Sequence, residues 1–105
     1  MNVAIQTKPE ILKVLGDHTA QLKALGVLQV GLFGSLVRGD QKAESDVDLL
    51  VQFDPKKKTF DNFMQLSEML EGIFKRHVEI VTTEALSPYI GPHILREVEY
   101  ATLSA

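Results

Sequence analysis

The stretch from Gly31 to Phe53, GLFGSLVRGDQKAESDVDLLVQF, constrains this chain more than any other. An apolar run ends in Gly34-Ser35, and ten residues later Asp46-Val47-Asp48 opens a second apolar run. Beyond Ser45 the alternation has period two. Val47, Leu49, Val51 and Phe53 fall on one face, and Asp46, Asp48, Leu50 and Gln52 on the other. Two carboxylates thus leave the same face of one strand, roughly 6 to 7 Å apart by strand rise. On a half-buried sheet they repel each other and lose hydration, so they need cations. Hard carboxylate oxygens suit Mg²⁺. Gly34-Ser35, at the end of the preceding strand, offers backbone N–H groups and a hydroxyl on which a phosphate can sit. Metal on one strand and phosphate at the end of its neighbour is the equipment for phosphoryl or nucleotidyl transfer.

The rest of the chain bounds that reading. Its 105 residues make one domain, 1–105, large enough for a core. With 45% hydrophobic and 24% charged residues, the composition is globular rather than disordered. A net charge of −3 disfavours a surface that grips nucleic acid directly. There are no cysteines, so disulfides and thiolate metal sites are excluded and a reducing cytoplasm is compatible. MNVAIQTKPE has no basic stretch followed by a long apolar one, so no signal peptide is read, and no apolar run approaches the ~20 residues of a membrane span.

In chain order, Thr7-Lys8-Pro9-Glu10 resembles a capping box, and Ile11, Leu15, His18, Leu22 and Leu25 form one helical stripe ended by Gly26. His18 reads as a partly buried histidine at the edge of the core. Val27 to Phe33 is a first strand, nearly all apolar and so central. Ser35 is placed to cap one short turn, Leu36 to Arg38, stopped by Gly39. Asp40 to Ser45 is a polar loop in which Asp40 is a loop or capping acid rather than a ligand. Asp46 to Phe53 is the second strand, broken by Asp54-Pro55. Lys56-Lys57-Lys58 reads as a solvated turn. Thr59 to Lys75 is a helix with one apolar face, and His77 to Thr82 is a third strand. Pro92 opens a closing helix running to about Leu103 and carrying Leu95, Val98 and Leu103.

This order predicts an α/β (α+β) domain with a small sheet and helices against one face. Glu79 has two readings. It is either an edge-strand glutamate facing water, or an acid in the middle of a buried strand, lying near Asp46 and Asp48 if the second and third strands are neighbours. In the second case three acids could bind two divalent ions. A P-loop is excluded because Gly-Lys-Ser/Thr is absent, and an EF-hand because apolar residues occupy several of the liganding positions counted from Asp46.

The spacing Gly34-Ser35, ten residues, Asp46-Val47-Asp48 resembles the signature of the DNA polymerase β-like nucleotidyltransferase superfamily. The fuller string GSLVRGD…SDVDLLV, with HVEIVTTEALSPYIGPHILREVEYA, is similar to the minimal nucleotidyltransferase (MNT) family, antitoxins to HEPN-domain toxins, over roughly residues 10 to 102. The resemblance implies a polymerase β-like fold with a mixed sheet, and adenylyl transfer from ATP to a protein hydroxyl. It implies that Gly34 and Ser35 hold the β,γ-phosphates and that Asp46 and Asp48 bind both Mg²⁺ ions. Glu79 would bind the catalytic ion and help deprotonate the incoming hydroxyl. Arg38 either contacts the triphosphate or is a surface arginine beside Asp40. The family commonly has Asp where this chain has Glu79, a carboxylate one methylene further out.

The function implied is a cytoplasmic, Mg²⁺-dependent protein adenylyltransferase that modifies a HEPN toxin. Two alternatives stay open: an antitoxin of the same fold that neutralises its partner by contact alone, and a nucleotidyltransferase acting on a small molecule or RNA. The acceptor would come from a partner or from self-association, so a homo- or hetero-oligomer is compatible.

Overall fold

A computed structural model describes residues 7–39 and 46–103; Asp40 and the rest of the loop 40–45 lie outside the described residues. The first helix, α1 (Lys8–Asp17), begins with a capping box: the Thr7 hydroxyl accepts the Glu10 N–H at 3.3 Å and the Glu10 carboxylate accepts the Thr7 N–H at 3.2 Å. The single helix expected to run on to Leu25 is instead broken at His18, and α2 spans Thr19–Ala24. Side chains at the break take carbonyls that a continuing helix would use. Thr19 Oγ1 donates to the Gly16 carbonyl at 2.6 Å, and His18 Nδ1 lies 2.8 Å from the Val14 carbonyl oxygen. The stripe survives the break, since Ile11, Leu15 and Leu22 are all fully buried.

Strands β1 (Val27–Phe33) and β2 (Val47–Phe53) pair antiparallel, with Val30 opposite Val51, Leu32 opposite Leu49 and Phe33 opposite Asp48. The next helix, α4 (Phe60–Phe74), is capped by the Thr59 hydroxyl, which accepts the Asn62 N–H at 3.1 Å. It provides the crossover that a parallel neighbour requires, and β3 (Val78–Thr82) then lies parallel to β2. Between β1 and β2 sits the short helix α3 (Ser35–Arg38). Its cap residue is Gly34, and Ser35 is its first helical residue rather than its cap.

The chain ends differently from the sequence expectation. Helix α5 (Gly91–Glu97) stops well short of Leu103, and β4 (Glu99–Tyr100) follows, pairing antiparallel with β1. The sheet order is β3-β2-β1-β4. The outer edge of β1 supplies the reason: its backbone groups need partners, and residues 99–101 provide them, with the Ala101 N–H donating to the Val30 carbonyl at 2.9 Å. Gly31 makes the crossing possible, because a Cβ there would run into Val98 and Tyr100.

Both sheet faces are covered, not one. Val30, Leu32, Val47, Leu49, Val51 and Phe53 pack against Ile11, Leu15 and Leu22 of the first two helices and Leu66, Leu70 and Phe74 of α4. On the opposite face a smaller cluster joins Phe33 and Leu50 to Ile94 of α5, with Val81, Leu86 and Val98 against it. This second face also carries the two aspartates.

Candidate active site

The period-two alternation puts Asp46, Asp48 and Leu50 on the second face, and the structure keeps that arrangement: Leu50 is fully buried, Asp48 half-buried and Asp46 exposed just ahead of β2. Strand β3 lies beside β2 with Glu79 in register with Asp48. Parallel partners share a face, so Glu79 joins the aspartates. It is also exposed on an edge strand, not in the middle of a buried one. The buried strand expected around Glu79 is thus an edge strand, and it is the pairing of β3 with β2 that brings Glu79 beside Asp48.

Gly34 lies against this cluster from the β1 side. Its φ is +85°, a left-handed conformation that disfavours side chains, and a Cβ there would collide with the Asp48 carboxylate. The backbone that sequence reasoning assigns to phosphate therefore touches the acid that it assigns to metal. Ser35, half-buried, follows directly at the start of α3. Arg38, at the end of that helix, also faces the cluster, where its positive charge acts on Asp48.

Burial and neighbouring negative charge both act on Asp48. The Asp48 carboxyl is pushed from 3.8 up to about 6, first by burial, then by the charges of Glu79 and Asp46; Arg38 opposes the shift and Glu97 adds to it. Glu97 was not singled out in the sequence. It is the last residue of α5, its Oε1 accepts the Gly34 N–H at 3.2 Å, and both its carboxylate oxygens accept from Arg38 Nη1 at 3.3 Å. Sixty-three positions separate Glu97 from Gly34, and no motif or spacing links them.

Among the described residues, no group of three or more His, Asp or Glu side chains converges closely enough to enclose one ion. The donor set nevertheless fits Mg²⁺. That ion is commonly held by one or two carboxylates and completed by water and substrate phosphates, rather than by an all-protein cage. An acid held near 6 by burial and by the charges of Glu79 and Asp46 is relieved by a cation.

Comparison with known proteins agrees with this geometry. Residues 18–100 match the family model for polymerase beta-type nucleotidyltransferases. The chain is 38% identical over 99 residues to protein adenylyltransferase MntA of Thermococcus cleftensis, covering 93% of this chain and 99% of that one. A candidate protein adenylyltransferase of Methanocaldococcus jannaschii is 34% identical over 99 residues, covering 91% and 99%. Among solved structures, a candidate minimal nucleotidyltransferase superposes with a TM-score of 0.73 at 32% identity, covering 86% of this chain and 92% of that one. A toxin–antitoxin crystal structure with AMP-PNP superposes at 0.61 and 19% identity, covering 81% and 69%, a likeness of fold alone. The chain belongs to the polymerase beta nucleotidyltransferase family and, within it, to the minimal nucleotidyltransferases related to protein adenylyltransferase MntA.

Proposed function

We propose that this nucleotidyltransferase moves AMP from ATP to a tyrosine hydroxyl on a HEPN-type toxin, and acts in the cytoplasm as its antitoxin. The observation that carries the reading is the close approach of Gly34 to the Asp48 carboxylate, with Asp46 and Glu79 exposed beside them, which supports one continuous site for phosphate and metal. Relatives named protein adenylyltransferase and fold neighbours from toxin–antitoxin complexes support the protein acceptor and the antitoxin role.

Gly34 and Ser35 hold the β,γ-phosphates and Arg38 contacts the triphosphate. Asp46 and Asp48 would hold the two Mg²⁺ ions, with Glu79 placed beside them to complete the catalytic one through water or substrate. When bound, Mg²⁺ neutralises charge on the attacking and leaving oxygens. Glu79 also helps take the proton from the incoming hydroxyl, whose oxygen attacks the α-phosphorus as the bond to the bridging oxygen breaks and pyrophosphate leaves. The exposure of Asp46 and Glu79 leaves the acceptor side of the site accessible to a loop of another protein. The added AMP places negative charge and bulk where the toxin would bind RNA phosphates, so inhibition outlasts the complex.

The test is label transfer. With purified toxin and Mg²⁺, label from the α-phosphate of ATP should appear on the toxin and label from the γ-phosphate should not. A toxin labelled from neither, yet silenced by stoichiometric amounts of this protein, would instead favour neutralisation by contact.

A further inference from the structure

Glu97 sits on the donors that the proposed reaction assigns to the nucleotide. Its Oε1 accepts the Gly34 N–H at 3.2 Å, and its two oxygens accept from Arg38 Nη1 at 3.3 Å each. The side chain is only 23% exposed. Its place is fixed from behind. Val98 packs against the second-face cluster, and Glu99 pairs with Leu32 as β4 joins β1. The end of α5 is therefore tied to the sheet at the point where its final carboxylate meets Gly34.

A carboxylate and a phosphate ask for the same partners, an N–H and a guanidinium, and two anions on one set of donors repel. We propose that Glu97 is an internal anion that occupies the phosphate seat of the free protein and exchanges with the nucleotide triphosphate on binding. This rests on the assignment of Gly34, Ser35 and Arg38 to the triphosphate and deepens it. Until a triphosphate arrives, Glu97 keeps Arg38 oriented and the Gly34 N–H satisfied. Binding moves the carboxylate off both donors. Apparent affinity is then reduced by the fraction of molecules in which the seat is open.

The experiment is calorimetric titration of inorganic triphosphate and of ATP, without metal, into the wild type and into Glu97→Gln, Glu97→Asp and Ser35→Ala, with circular dichroism to verify folding. Glu97→Gln should bind about fivefold more tightly, because the competing charge is gone. Glu97→Asp keeps the charge but is one methylene shorter and should show a smaller gain in the same direction. In ¹⁵N-resolved NMR spectra, the Gly34 amide of the wild type should move on adding triphosphate, and in Glu97→Gln it should already be displaced before addition.

Equal or weaker binding by folded Glu97→Gln would overturn the proposal and make Glu97 a brace for Arg38. Tighter binding by Glu97→Gln with wild-type binding by Glu97→Asp would overturn it too, assigning the effect to net charge rather than to the seat. Unchanged binding by Ser35→Ala would show that the triphosphate lies elsewhere, so that the nucleotide assignment itself fails whatever happens at position 97.

Discussion

Asp48 and Glu79 are register partners across the parallel pair β2–β3, and their side chains rise from the same face of the sheet. The sequence places these acids 31 positions apart. Helix α4 brings them together, because a parallel neighbour of β2 needs a crossover and the helix packs that crossover into the core through Leu66, Leu70 and Phe74. The pairing leaves Asp48 with more negative charge around it than it can share with Arg38.

Replacing Asp48 should therefore raise stability while destroying activity. Its folded value of about 6 lies above the ordinary 3.8, so the folded state holds the proton more tightly and loses stability as pH rises from about 4 through 6. Asp48→Asn should abolish transfer yet raise the melting temperature at pH 7.5 without divalent ions. After discounting for solvent screening of a half-exposed group, the gain is roughly 1 kcal/mol. It should shrink as pH falls below 6. Melting curves across pH, with and without Mg²⁺, check this: Mg²⁺ should stabilise the wild type at pH 7.5, progressively less below pH 6, and hardly affect the variant. Asp46→Asn, exposed ahead of the strand, should abolish transfer with little change in melting.

At Glu79, loss of the charge should matter more than loss of a methylene. Glu79→Gln should lower the transfer rate steeply, on the order of a hundredfold if it misplaces the catalytic ion, while Glu79→Asp should be tolerated far better. Steady-state kinetics over a range of Mg²⁺ concentrations read both. Full activity and unchanged Mg²⁺ dependence in Glu79→Gln would make it a solvent-facing edge residue only.

Much of this was legible in the sequence, and the reasons are local. Strand β1 and the alternation of β2 follow from short-range hydrophobic patterning, and the capping box at Thr7 and Glu10 fixes the first helix start. The elements that were misread depend on distant partners. His18 lies on a continuous apolar stripe, yet the helix breaks there, where Thr19 and His18 side chains meet the Gly16 and Val14 carbonyls. Val98 to Tyr100 can continue a helical pattern, but the unpaired edge of β1 draws them into a strand. Glu97 reaches the site because that strand stops α5 there, a consequence of long-range pairing that no local pattern carries.

Gly34 should resist any side chain. Gly34→Ala demands a left-handed backbone from an L-residue and drives a methyl into the Asp48 carboxylate. Destabilisation of about 1–3 kcal/mol and loss of nucleotide binding should follow. Chemical denaturation and ATP titration check it. In the Asp48→Ala background the same substitution should cost measurably less stability, because the collision with the carboxylate is removed, leaving the backbone strain and a close contact with the Cβ at position 48.

The two neighbours Ile94 and Leu95 should behave oppositely. Ile94 is 6% exposed and packs on Phe33 and Leu50, whereas Leu95 is 54% exposed. Ile94→Ala should cost about 2–4 kcal/mol and Leu95→Ala less than about 0.5 kcal/mol, read by urea denaturation.

Adenylyl transfer to a partner protein is tested most directly by the intact mass of purified HEPN-type toxin after incubation with this chain, ATP and Mg²⁺. The account predicts a gain of one or more adenylyl groups on the toxin, absent with Asp48→Asn, and lost ribonuclease activity that persists after the two proteins are separated. An unchanged toxin mass, with inhibition that needs stoichiometric amounts of this chain and survives Asp48→Asn, would contradict it.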